Sequence, residues 1–195
     1  MVRLDRIVTR TGDTGMTSLG NGERLPKDHP RIAAIGAVDE ANCVLGLLRL
    51  ETLPPDIAAE VARIQNDLFD LGADLATPPG TPYEAKIPRL TEVYLARLEQ
   101  VVVVANAGLA PFTSFTLPGG SRASAWLHLA RTVVRRAERD LVAALHADNT
   151  INPVCLRYLN RLSDLCFVWS RVCNDQGRAD VAWVPGQGAS ESPAG

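Results

Sequence analysis

Lysine is nearly missing from this chain. Only Lys27 and Lys86 occur, so arginine supplies the other 18 of the 20 basic residues. Aromatic residues make up only 5%, and the formal net charge of −2 disfavours non-specific nucleic-acid binding driven by bulk charge. No apolar run approaches the length of a membrane span, and the opening MVRLDRIVTRTGD lacks the apolar core of a secretory signal. A cytoplasmic protein without a membrane partner is expected. Cys43, Cys155, Cys166 and Cys173 form no C-x-x-C pair, and each lies among apolar neighbours in a helical stretch. They are expected to be small buried thiols rather than metal or disulfide ligands. A Walker A loop is excluded, because G-x-x-x-x-G-K-[ST] does not occur, and no repeat of solenoid period is present.

What is present is amphipathic helix. The 195 residues are 46% hydrophobic and 22% charged, enough for one domain with a substantial core. That domain is expected to end near residue 186, with Gln187 to Gly195 a disordered, Gly- and Ser-rich tail. The central stretch is PGGSRASAWLHLARTVVRRAERDLVAALH, from Pro118 to His146. Pro118-Gly119-Gly120 breaks the backbone, and Ser121 is a good N-cap for the helix that follows. Leu127, Ala130, Val134, Ala137, Leu141 and Leu145 form one apolar stripe. Arg131, Arg135 and Glu138 share a second face at i, i+4 and i+7, with Arg136 and Arg139 beside it. Such a face can be solvated and closed by local ion pairs. It can equally clamp a polyphosphate, since Arg makes planar bidentate contacts that Lys cannot copy.

Before the first helix, Arg6-Ile7-Val8-Thr9 is a short β-prone run leading into TRTGDTGMTSLGNGERLPKD. Gly12, Gly15, Gly20 and Gly22 permit unusual backbone angles, while Thr9, Thr11, Thr14, Thr17, Ser18 and Asp13 offer polar groups. This composition suits an anion nest, or simply a flexible arm with hairpin turns. Lys27 is close enough in sequence to reach a ligand there. Helices are expected over Arg31–Leu50, from Pro54-Pro55-Asp56 through Leu75, over Thr91–Asn106, and over Val154–Asn174 after Asn152-Pro153. Asp39 interrupts the first of these and, on a packing face, needs a cation. Thr77–Pro88 reads as a surface loop; Phe112 and Trp169 read as packing residues, and Phe115 as the wall of a pocket beside the arginine helix. Asn160 and Asp164, with Arg161, form a polar cluster on the last helix. Five helices with almost no strand signal predict an all-α five-helix bundle preceded by an irregular N-terminal loop.

Six motifs occur in order: T-R-T-G-D-T-G-M-T-S-L from Thr9, L-P-K-D from Leu25, A-V-D-E-A-N from Ala37, F-T-L-P-G-G-S from Phe115, A-R-T-V-V-R-R-A-E-R from Ala130 and Y-L-N-R-L-S-D from Tyr158. Together they resemble the ATP:cob(I)alamin adenosyltransferases of the five-helix, trimeric PduO type. The resemblance implies transfer of the 5′-deoxyadenosyl group of ATP to cob(I)alamin, with release of triphosphate and formation of adenosylcobalamin. It implies ATP contacts at Thr9, Arg10, Thr11, Gly12, Thr17, Ser18, Lys27, Arg135, Arg136, Ala137, Glu138, Arg139 and Asn160. Asp39 and Arg131 would pair across a subunit boundary of a homotrimer, and Phe115 would lie against the corrin where its lower ligand otherwise binds. Arg131, Arg135, Glu138, Asp39 and Asn160 are thereby the implied catalytic set. Mg²⁺ would accompany ATP, with its protein ligand left open. A corrin reductase and an adenosylcobalamin-dependent enzyme are the implied transient partners. Thr14, where the family often has an acid or Lys, and Met16, where a small or polar residue is common, depart from the pattern at positions the chemistry does not require. Two other readings are a non-enzymatic cobalamin escort and a helical adaptor whose arginine face binds an acidic protein or RNA. The escort has no need of an ATP loop, and the adaptor predicts salt-sensitive binding without ATP.

Overall fold

Helix boundaries follow the caps that the sequence supplies. The computed structural model describes residues 7–82, 84–112 and 114–187. Two short strands, β1 (Met16–Ser18) and β2 (Arg24–Pro26), precede helices α1 (Pro30–Leu48), α2 (Pro55–Ala76), α3 (Glu92–Ala107), α4 (Arg122–Ala147) and α5 (Pro153–Val172). Helices α1, α2 and α5 start on proline, whose missing N–H costs nothing at that position. His29, Ser121 and Asn152 cap α1, α4 and α5 by accepting from the backbone N–H of Arg31, Ser124 and Val154. Gln187 is the only described residue of the expected tail; the rest lies outside the described residues, as does Arg6.

Helix α4 lies between α1 and α5, α3 packs on α5, and α2 packs on α1. The α2 stripe Ile57, Val61, Ile64, Leu68, Leu71 and Leu75 is wholly buried. Ala34, Ala37 and Ala41 of α1 and Ala130, Ala137 and Ala144 of α4 are buried as well, and short side chains let helix axes approach closely. Leu145, expected in the α4 stripe, is only half buried because it falls in the last turn of the helix.

Buried polar groups tie the helix ends together. Arg31 donates to Leu75 O at 2.7 Å and to Asp148 Oδ2 at 2.6 Å, joining the start of α1 to the ends of α2 and α4. Asp74 accepts from Arg89 at 2.7 Å, from Leu90 N at 3.0 Å and from Asn152 Nδ2 at 2.8 Å. Thr77–Pro88 is therefore better anchored than a free surface loop: Thr77 and Thr81 are buried, and Glu84–Lys86 forms a 3₁₀ turn.

Three expectations need correction. The described part of the β-prone run, Ile7 to Thr9, is not a strand; pairing occurs later, inside the glycine-rich loop, with Thr17 opposite Leu25. Cys43 is exposed, since its position on α1 turns away from the core; Cys155 and Cys166 are buried and Cys173 half buried. Burial pushes the thiol of Cys166 up to about 12 and that of Cys173 up to about 11, so both stay protonated at neutral pH. Phe112 is 55% exposed, outside the core, with its ring edge-on to Phe167.

Candidate active site

The N-terminal loop is shaped by backbone turns and one arginine. Arg10 itself adopts the left-handed conformation at φ +59°, and Gly15 does so at φ +80°. Arg24 donates to Thr11 O at 2.8 Å and to Ser18 Oγ at 3.4 Å, drawing the two hydroxyl-rich segments together. The Thr9 and Thr11 hydroxyls lie 3.0 Å apart. Lys27 closes the loop from the far side: its N–H donates to Gly15 O at 2.8 Å. A Cβ at Gly12 would sit 3.0 Å from Lys27 Nζ, so glycine there makes room for the ammonium group. Thr9, Arg10, Thr11, Ser18 and Lys27 are exposed; Gly12 and Thr17 are half buried.

The second half of the site is one face of α4. Glu138 Oε1 accepts from Asn160 Nδ2 of α5 at 2.9 Å, and Asn160 Oδ1 accepts from Arg161 Nη1 at 2.8 Å. Arg136 pairs with Glu40 of α1. Arg139 donates to the Arg135 carbonyl at 3.2 Å, one helical turn back. Arg131 lies over the Phe167 ring, 5.7 Å from its centroid, a cation–π contact. Among the described residues, no carboxylate pairs with Arg131, Arg135 or Arg139. Like charges at i, i+4 destabilise a helix by about 0.2–0.5 kcal/mol each, so this row is held against a local cost. The face closed by local ion pairs is not what forms. Ala137 is buried beneath it, contributing backbone and core packing rather than a polar side chain.

Beyond the N-terminal end of α4 lies an aromatic cluster. Phe115, 74% exposed, packs against Trp183 with ring centroids 6.2 Å apart. With Phe112, Ser114 and Pro185 they line an open cavity of about 380 Å³. Phe167 lies between Phe112 and His128, at 5.9 and 6.3 Å, so it links this cluster to Arg131. Burial, and then the Arg131 charge, hold His128 below the ordinary imidazole value, keeping it neutral at pH 7.

Two separate groups thus emerge, the Thr9–Lys27 loop and the α4–α5 polar face. Among the described residues no hydrogen bond or ion pair joins them within one chain; the loop instead docks on α2 through Gly20 N to Ala76 O at 2.7 Å. Asp39 is exposed on α1, and among the described residues it has no ionic partner in the chain. It faces an apolar groove between α1 and α2 rather than the core, so the acid in mid-helix meets water here. Arg24, Glu40, Phe167 and Trp183 were not singled out as site residues from the sequence. Val181-Ala182-Trp183-Val184, an apolar run inside a Gly- and Pro-rich segment, was the available signal for Trp183.

Residues 7–173 match the family model described as cobalamin adenosyltransferase. A cobalamin adenosyltransferase of Cupriavidus metallidurans is 48% identical over 93% of this chain and 95% of its own length. A corrinoid adenosyltransferase of Mycobacterium tuberculosis is also 48% identical, over 95% of this chain and 96% of its own. Among solved structures, a variant PduO-type ATP:corrinoid adenosyltransferase from Lactobacillus reuteri, complexed with cobalamin and ATP, superposes with a TM-score of 0.83. That chain is 33% identical and is covered over 99% of its length by 91% of this one. Shared motifs, fold and close relatives agree, and the chain belongs to the cobalamin adenosyltransferase family.

Proposed function

We propose that this enzyme transfers the 5′-deoxyadenosyl group of ATP to cob(I)alamin, holding ATP between the Thr9–Lys27 loop and the α4 face. The observation that carries this reading is the exposed pair Arg135 and Arg139, one helical turn apart and without a carboxylate partner among the described residues. Two exposed guanidinium groups beside a fixed Glu138–Asn160 pair suit a ligand with many anionic oxygens.

The chemistry asks little of the protein's own nucleophiles. Cobalt(I) attacks C5′ of ATP, a Co–C bond forms, and the C5′–O bond breaks with its electron pair leaving on triphosphate. No Ser–His or Cys–His arrangement is needed. The protein's work is alignment and stabilisation of charge on the leaving group, each commonly worth several kcal/mol. Arg135, Arg136, Arg139 and Lys27 receive triphosphate, with Arg136 exchanging Glu40 for the ligand. Thr9, Arg10, Thr11, Gly12, Thr17 and Ser18 line the nucleotide. Asn160 holds Glu138 in place, so the two act as one unit.

Among the described residues no group of three His, Cys, Asp or Glu could cage a metal. Mg²⁺ keeps waters and takes one or two carboxylates plus substrate phosphates. Glu138 is the carboxylate on the α4 face that would hold it, and the ion would supply charge neutralisation on triphosphate. Phe115 faces the corrin and keeps water and a lower ligand from cobalt, easing reduction to Co(I), since cofactor electronics follow axial ligation.

The assembly we propose is a homotrimer with sites between subunits. Asp39 and Arg131, both without an ionic partner among the described residues of one chain, would pair between copies, and the separated loop and α4 face would meet there. No described helix is long and apolar enough to cross a membrane. A single domain through about residue 186, a cytoplasmic location, and transient contacts with a corrin reductase and an adenosylcobalamin-dependent enzyme complete the reading. The test is anaerobic absorbance spectroscopy of protein with chemically reduced cob(I)alamin, ATP and Mg²⁺. The adenosylcobalamin spectrum should appear only with enzyme and ATP together. Tight binding of adenosylcobalamin without any conversion would overturn the reading in favour of an escort.

A further inference from the structure

One carboxylate anchors the segment that follows α5. Asp180 Oδ2 accepts from Arg171 Nε at 2.7 Å, and its Oδ1 accepts from Asn174 Nδ2 at 2.9 Å. Each of these partners reaches onward to the connector between α3 and α4. Arg171, which is buried, donates from Nη2 to Ala110 O at 3.1 Å, and its guanidinium lies 5.3 Å from the centroid of Phe112. Asn174 Oδ1 accepts from Ser121 N at 3.1 Å. Asp180 is thereby linked to both ends of the connector that carries Phe115.

Immediately after Asp180 the two segments pair as a minimal antiparallel ladder. Leu117 N donates to Val181 O at 2.8 Å and Trp183 N to Phe115 O at 2.7 Å, with Thr116 opposite Ala182. Two backbone hydrogen bonds and the Ser114 hydroxyl, which donates to Trp183 O at 2.7 Å, hold the register locally, and a slip of one residue turns Trp183 to the opposite face. A second, more buried fixed point lies outside the ladder. Local packing shows where it is. A Cβ at Gly120 would lie 2.3 Å from Asn174 Oδ1, and one at Gly177 would lie 2.9 Å from Arg171 Nη2. The backbone is fitted around these two side chains, whereas none of Asp180, Arg171 and Asn174 lines the Phe115–Trp183 cavity.

We infer that Asp180, acting through Arg171 and Asn174, is a positioning residue that sets the register of Trp183 against Phe115. By doing so it shapes the apolar wall presented to the corrin, and in this it rests on the reading of Phe115 given above.

The experiment compares wild type, Asp180→Asn and Phe115→Ala, with melting temperature recorded for each and Asp180→Glu as a charge-conserving check. The first measurement needs no corrin: trypsin cleavage after Arg178, beyond which the sequence has no further Lys or Arg. Asp180→Asn should be cut about tenfold faster than wild type, because cleavage follows the population of the locally opened segment. The second is the electron paramagnetic resonance signal of cob(II)alamin bound with ATP, whose hyperfine pattern reports the lower axial ligand. Asp180→Asn should shift that signal toward the one given by Phe115→Ala. Its kcat should fall about tenfold, as misplacement of a positioned group does, while KM for ATP stays within about twofold. Asp180→Glu should recover part of each change. Unchanged cleavage overturns the inference, as does a wild-type cob(II)alamin signal in Asp180→Asn when Phe115→Ala alters it; the reading of Phe115 then stands. If Phe115→Ala leaves the signal unaltered, that reading fails and takes the inference with it.

Discussion

Charged groups are treated in opposite ways on the two sides of the bundle. Where α2, α3 and α5 meet, Arg97 pairs with both Glu60 and Asp67, and the buried Tyr158 hydroxyl donates to Asp67 at 2.6 Å. On the α4 face, Arg135 and Arg139 are exposed without a carboxylate partner among the described residues, while the neighbouring Glu138 is occupied by Asn160. Charges removed from water need partners to persist, so the first arrangement belongs to folding. Unpaired cations in a row do nothing for folding. They are legible as a site because the same molecule shows, elsewhere, how it closes a network.

Arg135→Ala should have the largest effect, lowering kcat about 100-fold or more, the scale of a lost contact to transition-state charge. Its melting temperature should match or slightly exceed wild type, since a like-charge neighbour is removed. A normal kcat would sink the clamp role. Arg97→Ala should do the reverse, costing about 3 kcal/mol of stability by stranding Glu60 and Asp67, with the turnover of the folded fraction retained. Burial already raises Asp67 above its ordinary value, and removing the bonded Arg97 cation favours its protonated form further. A carboxylate raised in the folded state makes folding less favourable as pH rises through its range. Part of the Arg97→Ala loss should therefore return as pH is lowered from 7 toward 4, which denaturation at several pH values would reveal.

Asp39→Asn sits between these extremes. Activity should drop about tenfold and the sedimenting species should shift toward smaller sizes, as for a partly exposed interfacial pair. Unchanged kinetics with unchanged assembly would remove Asp39 from the interface. The smallest effect concerns His128, whose folded-state value lies below the ordinary 6.5. Its contribution is complete above that pH and lost as pH falls below it, because the unfolded chain takes up the proton first. His128→Gln should flatten the stability profile there; an unaltered slope would assign acid sensitivity to other groups.

Caps and stripes were legible in the sequence because they are local. Ser121, Asn152 and the three helix-opening prolines mark boundaries that the fold obeys. The arginine spacing on α4 could be read for the same reason, since residues three and four apart must share a face. What could not be read depends on partners far along the chain. Phe112 looks like any core phenylalanine until Phe167 and Arg171 are seen to hold it at the surface. Cys43 had apolar sequence neighbours, but its helical face looks outward. Arg24 sits in a turn-rich stretch with nothing to show that it would draw Thr11 and Ser18 together.

The close approach of Lys27 to Gly12 has a practical side. Lys86 lies in the Glu84–Lys86 turn, so Lys27 carries the only side-chain amine in the N-terminal loop. A chain so poor in lysine has, in effect, a built-in reporter. Amine-reactive labels followed by peptide mass spectrometry read the state of that loop at a single position, with Lys86 as internal reference. The rate at which Lys27 is labelled, with and without ATP, becomes a direct gauge of the proposed contact between the loop and a nucleotide.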